Sequence, residues 1–509
     1  MSSSQKSLVQ EPAFSKLRTA LWPIHRSELK KFLPMSIMMF LVLVNYTLLR
    51  NTKDTLLITA PSCGVEVIPF LKMWGVMPCA ILFFLLYSKL SNILSREALF
   101  YTCLILFLVF FAAFSFIIYP NKEWLHPTLE SVTILRESCP NVKWFISLYG
   151  VWSFAIFYVL SELWGVIVVS LLFWQFANEI TRTKEAKRFY AFFGLLGNIA
   201  LITSGALVQW LGESHHSLPK EADPWGLSIS YMMIAVVTVG VLILVVYWWM
   251  NRYVLTDPFY YDAVKSGGTK GKLDKTKLSL GQSLSYLFSS KYLGFITILV
   301  LSYGITSNII DLTWKNQIKA YLPDSNDYFA FMGRYTFWTG VVTVSFILTT
   351  KGIVNRFGWY WGAIITPVIL FITGAIFFSF VLFKESLNDI VAYFGVTAVY
   401  MAVMIGAVQN ILSKGAKYSL FDPTKEMAYI PLDQELKVKG KAAVDVIGGR
   451  LGKTGGGLIE FILLTLTGGT QMTIAPYLFG VIAFVSLIWM GAVKSLSKLY
   501  NTKIAEQGE

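Results

Sequence analysis

Apolar residues run in stretches of about twenty, much longer than the one-sided stripe of a soluble amphipathic helix, and polar residues gather in short clusters between them. About 20 residues at 1.5 Å each span the roughly 30 Å hydrocarbon core of a bilayer. Twelve such runs lie near residues 32–52, 67–88, 98–119, 144–176, 189–211, 228–249, 292–312, 329–350, 357–383, 390–413, 443–466 and 473–493. The pattern predicts an all-α membrane protein with twelve transmembrane helices. The fourth run is too long for one untilted crossing and too short for two with a loop, so one long helix reaching past the bilayer is expected there.

Lys and Arg in the connections orient the spans, because cytoplasmic loops retain an excess of them. With the N-terminus inside, the inside segments hold 29 of the 43 basic residues and the outside loops hold seven; the other seven sit in or at the edges of the runs. Both termini are therefore expected on the cytoplasmic side. Residues 1–31 carry six basic residues without an early apolar run, which reads as a cytoplasmic tail rather than a signal peptide. A first six-helix bundle is expected over 32–250 and a second over 291–495, with a cytoplasmic linker over 251–290 and a C-terminal tail over 496–509. The linker contains the flexible basic stretch Ser266-Gly-Gly-Thr-Lys-Gly-Lys272. A faint internal echo, Gly194-Leu-Leu-Gly-Asn198 against Gly449-Arg-Leu-Gly-Lys453, accords with two parallel halves in a major-facilitator-like arrangement and a substrate site between them.

Composition supports the membrane reading: 55% of the 509 residues are hydrophobic and 14% charged, with 16 Trp, 25 Tyr and 38 Phe. The net charge of +13 would suggest nucleic acid if it lay on one soluble face, but it is spread over loops, so no nucleic acid partner is expected. Cys63, Cys79, Cys103 and Cys139 form no metal-binding spacing, and His25, His126, His215 and His216 all fall in tails or loops. Neither a metal nor any other cofactor is expected, and an intramembrane enzyme is disfavoured. Gly452-Lys453-Thr454 resembles the end of a phosphate-binding loop, but Ile447 stands where its first glycine belongs.

Charge inside an apolar run costs at least about 2.5 to 3.5 kcal/mol, which makes each such residue a functional candidate. Arg50 and Lys53 lie three apart near the end of span 1, Lys72 lies in span 2, and Glu162 lies at the centre of span 4. Asp311 and Lys315 lie four apart at the end of span 7, and span 11 carries Arg450, Lys453 and Glu460. Glu162, Lys53, Asp311 and Lys453 read as functional; Lys315 and Lys291 read as interface lysines whose heads snorkel to water, Arg50 is open to the same reading, and Lys72 and Arg334 stand between the two. Cations outnumber anions, which favours an anionic substrate. Tyr149, Trp164 and Phe193 are candidate stacking partners for a base.

Several motifs together, Asn51-Thr-Lys-Asp-Thr-Leu56, Asp311-Leu-Thr-Trp-Lys315, Tyr328-Phe-Ala-Phe-Met-Gly333, Glu426-Met-Ala-Tyr-Ile-Pro-Leu432 and Lys439-Gly-Lys-Ala-Ala-Val-Asp-Val446, resemble the ATP/ADP translocase family of plastids and obligate intracellular bacteria, the chlamydial nucleotide transporters above all. The resemblance covers nearly the whole chain. It implies strict exchange of ATP for ADP across a bacterial inner membrane, importing host ATP; alternating access, a monomer and accompanying phosphate are expected with it. A proton-coupled or broad-specificity nucleotide importer is the alternative. It also implies four charged transport residues, matched here by Lys53, Glu162, Asp311 and Lys453, with Lys441 as the competing choice for the fourth. Where the family often has Glu, Asp311 offers a shorter arm.

Overall fold

A computed structural model describes residues 24–214, 223–257, 260, 290–350, 353–433, 440–441, 444 and 449–507. Among these residues the chain is helical, and nine helices are long and apolar enough to cross a membrane. They are α1 (Leu29–Ile58), α2 (Val67–Leu90), α3 (Arg96–Ile118), α4 (Trp152–Ile180), α5 (Thr183–Glu213), α6 (Pro224–Tyr253), α7 (Lys291–Tyr321), α9 (Trp359–Leu382) and α12 (Gln471–Gln507). Helices α8 (Ser325–Thr350), α10 (Ala398–Ala416) and α11 (Gly449–Thr467) occupy the three remaining positions where the apolar pattern placed spans. The expected linker lies almost wholly outside the described residues, and α12 continues as helix through most of the segment expected to be a tail.

Helix boundaries follow local chemistry. Ser95 caps α3 by accepting from the Ala98 amide, Asp223 caps α6 by accepting from Gly226 with Pro224 in the first turn, and Thr397 caps α10 by accepting from Tyr400. The long helix expected over 144–176 is instead two. Lys143–Gly150 ends at Val151, which leaves helical geometry at φ −131°, and α4 starts at Trp152. Beside the break Gly150 lies close to the Val132 side chain, 3.0 Å from where its own Cβ would stand.

Large apolar side chains such as Leu82, Phe84, Leu106 and Phe484 are at least 60% exposed on the outer faces of α2, α3 and α12, a surface suited to lipid rather than water. Counting α1–α6 as a first group and α7–α12 as a second, one large buried apolar cluster draws on both groups and a smaller one lies in the second. The closest approach between the groups is α5 on α8. Gly205 faces Gly333, Gly212 lies against Ala330, and Gly340 lies against Asn198 and Ile202. A Cβ on Gly333 would fall 2.3 Å from the Gln209 amide nitrogen, and one on Gly205 would fall 2.4 Å from that of Phe337, so backbone lies directly on backbone.

The end of the bundle where α1 terminates is here called distal. Hydrogen bonds joining described residues of the two groups lie at this end or at the centre. Thr59 and Ser325 hydroxyls meet at 2.8 Å, Ser228 donates to Asn326 at 2.6 Å, Gln471 donates its amide to Glu66 at 3.0 Å, and Lys143 reaches the Gly468 carbonyl.

Candidate functional site

Three helices carry their charges to one place. On α1, Lys53 Nζ donates to Asp54 Oδ1 at 2.5 Å and pairs with Glu162 Oε1 of α4 at 2.8 Å. Asp54 Oδ2 accepts from Lys315 Nζ of α7 at 2.8 Å, and Lys315 also pairs with Asp311 Oδ2 at 2.7 Å. The result is an unbroken chain of alternating sign, Glu162, Lys53, Asp54, Lys315, Asp311, that crosses from one helix group to the other. Glu162 and Asp311 each lie ten residues, about 15 Å, in from the distal ends of their helices, near the middle of a bilayer-sized slab.

Burial is graded along this chain. The middle three residues are at most 4% exposed, whereas the Glu162 and Asp311 side chains at its two ends are 30% and 20% exposed. Ions so deeply placed are tolerable only when paired and hydrogen-bonded. Lys53 gains further support from the face of Tyr158, 3.9 Å from its ring centre. Asn51 of α1 is bonded by Thr336 of α8 at 3.4 Å, while among the described residues its amide nitrogen and the Ser161 hydroxyl have no hydrogen-bond partner.

Three more cations stand around the open ends with no carboxylate in contact among the described residues. Lys72 on α2 lies within electrostatic reach of Glu162. Arg50 on α1 and Lys414 on α10 lie within reach of Asp311 and of each other. Lys414 Nζ donates to the Tyr335 hydroxyl at 2.6 Å, and the Tyr335 ring packs against Trp314, whose indole nitrogen donates to the Val403 carbonyl of α10 at 2.8 Å. Just beyond Lys414 and Glu162 the helices widen into π-helical turns at Lys417–Phe421 and Gly165–Phe173, and Lys72 itself opens one at Lys72–Val76. Such turns leave backbone groups off register and recur at functional positions.

The structure brings Lys53, Glu162, Asp311, Arg50 and Lys72 together as candidates of one centre. It corrects the reading of Lys315, which is no interface lysine: with a buried head clasped between two carboxylates it cannot reach water along the helix surface. Asp54 and Lys414 were not singled out from the sequence; Asp54 follows a candidate lysine at a run's end, and Lys414 opens a loop in the apolar pattern. Lys441 is placed elsewhere, half exposed and paired with Glu426. Arg450 and Lys453 stand on α11, whose glycines at 452 and 456 lie against α7, but their side chains lie outside the described residues. Lys291 is exposed at a helix start, as an interface lysine should be, and Arg334 is exposed opposite Glu213 at 3.6 Å. The stacking candidates do not face the centre: Trp164 and Phe193 are fully buried in the packing of the first group, and Tyr149 is 58% exposed near the distal end.

Glu460 of α11 is fully buried, receiving the Gln471 amide at 3.2 Å, and that amide also reaches the Thr313 hydroxyl of α7. It holds the second group together beside the charged chain. Among the described residues no group of His, Cys, Asp and Glu could hold a metal ion.

Comparison with known proteins places this arrangement. The family description TLC ATP/ADP transporter matches residues 8–500. ADP,ATP carrier protein 1 of Chlamydia trachomatis is 49% identical over 491 residues, 96% of this chain and 92% of that protein. The chloroplastic ADP,ATP carrier protein 1 of Arabidopsis thaliana is 44% identical over 96% of this chain and 76% of its own. Among solved structures, the nucleoside transporter NupG superposes with a TM-score of 0.54 at 12% identity, covering 92% of this chain and 99% of that one, which establishes the shared fold.

Proposed function

The chain belongs to the TLC ATP/ADP transporter family, and on that premise we propose that it exchanges ATP for ADP across a membrane by rocking two six-helix halves about the central charged site. The proposal includes twelve crossings, both termini in the cytoplasm and residence in a bacterial inner membrane, supported by the distribution of Lys and Arg and by bacterial relatives. The distal face is then external.

One observation carries the reading: a buried ion chain tying the halves together at mid-depth, surrounded by more cations than carboxylates. A polyphosphate is the ligand class that neutralises such an excess, and its charges compete with Glu162 and Asp311 for the same lysines. Lys53, Arg50 and Lys72, with Lys453 and Arg450 from α11, are the groups assigned to the nucleotide, and Lys441 is set aside as a cytoplasmic surface residue. Without a ligand, like charges at low dielectric resist being carried across. Return of the empty site is therefore slow, and exchange is coupled.

Proteoliposomes test this directly. ADP-loaded vesicles should take up labelled ATP far faster than empty ones. Because ATP carries about one more negative charge than ADP, the exchange should respond to membrane potential unless phosphate accompanies ADP. Equal uptake into empty vesicles under a proton gradient alone would overturn the antiport reading.

A further inference from the structure

Connecting loops normally run over the surface, where water satisfies their backbone. The loop of residues 59–66, which leaves α1 at the distal end, is instead built in: Ala60, Cys63, Val65 and Glu66 are at most 8% exposed. The second helix group holds it from several sides. The Thr59 hydroxyl meets Ser325 at the start of α8 at 2.8 Å, Lys319 Nζ of α7 donates to the Cys63 carbonyl, and the Gln471 amide at the start of α12 donates to Glu66 Oε1 at 3.0 Å. The seat of Glu66 is braced, because the Gln471 side chain donates to Thr313 of α7 and to Glu460 of α11, both at 3.2 Å. Gly64 makes the docking possible. A Cβ there would fall 2.3 Å from Glu66 Oε2, so any other residue would push the carboxylate from its seat. Ser62 stands at φ +57°, a left-handed conformation that L residues disfavour, so the seated loop is held against local strain.

Resting on the alternating-access reading above, we infer that residues 59–66 are the external plug of this transporter: a piece of the first half that seats in the second, shuts the distal entrance, and leaves its seat each time the distal ends part. Charge favours the seat, since the Glu66 carboxylate lies at the positive end of α12. Helix α7 links plug and centre. Asp311, Lys315 and Lys319 lie four apart on one face of that helix, about 6 Å per step along its axis. Lys315 clasps Asp54 at 2.8 Å, and one turn further out Lys319 clasps the Cys63 carbonyl. Both partners belong to α1 or to the chain directly after it. A movement that parts α1 from α7 therefore breaks the central ion pair and the plug contact together, so whatever loosens the centre also unseats the plug.

Cys63 lies in the plug and reports on it without an introduced probe. The test uses full-length Cys139→Ser protein in proteoliposomes, with an impermeant maleimide outside and labelling of Cys63 followed by peptide mass; Cys79 and Cys103 lie within α2 and α3. With ATP outside and ADP inside, so that the carrier turns over, Cys63 should be labelled at least about tenfold faster than without nucleotide. Gly64→Ala displaces the Glu66 carboxylate and Lys319→Met releases the Cys63 carbonyl. Each should raise the nucleotide-free rate by about ten- to a hundredfold, the size of one lost hydrogen bond to a charged group. If one variant melts early, the other and the nucleotide dependence of the parent still decide the matter. Equal rates with and without nucleotide in vesicles that exchange ATP for ADP, or equal rates in the parent and the folded variants, would overturn the plug and leave the transport reading standing. Vesicles that do not exchange would overturn the transport reading, and the plug would then stand or fall on whether the variants label faster than the parent.

Discussion

Replacing Asp54 with Asn tests the central ion chain where it is most exposed to refutation. Asp54 is the one carboxylate among the described residues that contacts lysines of both halves, at 2.5 Å to Lys53 and 2.8 Å to Lys315. Removing one partner of a buried pair costs about 3 to 5 kcal/mol, because the other charge stays behind in low dielectric. Lys53 keeps Glu162 and Lys315 keeps Asp311, which argues for the lower end of that range. The cost falls on the arrangement in which the distal ends are joined, since only there do Asp54 and Lys315 meet. About 3 kcal/mol at 1.36 kcal/mol per tenfold shifts the balance toward distal opening by about a hundredfold. The readout is a cysteine at Thr59, whose hydroxyl lies 2.8 Å from Ser325 on the seam, in a Cys139→Ser background. An impermeant maleimide added from the distal side should label it about a hundredfold faster in Asp54→Asn than in the parent. Adding Lys315→Met should bring the rate back toward the parent, because removing both charges is far less costly than stranding one. Equal labelling rates in parent and Asp54→Asn, with both proteins folded by thermal melting, would refute the view that this pair holds the halves together.

Two further outcomes are expected. In intact cells the same reagent should label Cys139, which is exposed, and spare Cys63, which is buried beneath Ser147 and whose thiol is pushed up to about 12 by burial. The thiolate is the nucleophile, so near neutral pH Cys63 should react about a thousandfold more slowly than an ordinary thiol and gain about tenfold per pH unit on alkalinisation; fast labelling of Cys63 at pH 7 would contradict its placement. Lys441→Ala should transport within about twofold of the parent, since a half-exposed pair with Glu426 is worth about 1 kcal/mol or less, whereas Lys453→Ala should lose nucleotide binding; the reverse result in a transport assay would exchange their roles.

The hydrophobic pattern sufficed to find the nine helices that, among the described residues, are long and apolar enough to cross a membrane, because twenty-residue apolar runs have few other uses. The same pattern hid the break at Val151, since the residues on both sides are apolar and the backbone leaves helical geometry at that one residue. Glu162 could be singled out as a charge in the middle of an apolar run, and Lys53 and Asp311 as charges at run ends three or four residues from another charge on the same face. Lys315 was not, although its spacing of four from Asp311 was visible. Snorkelling is decided by which way a helix faces, and that depends on the other half of the molecule. Asp54 and Lys414 illustrate the same limit, their partners being 261 and 79 residues away in the chain. Aromatic residues carried the least information: Trp164, Phe193 and Tyr149 differ in setting but not in letter.

The glycine seam between α5 and α8 bears on speed. Where two halves meet through side chains, parting them means unlocking rotamers and finding new ones on the return, each a small entropic and frictional toll. Gly205, Gly212, Gly333 and Gly340 have no rotamers to lose. A joint of bare backbone opens and recloses along the same path every time, like two smooth plates rather than two combs. The pace of the alternating motion is then set by the charges at the centre and by what neutralises them, so turnover should track the ligand rather than the packing.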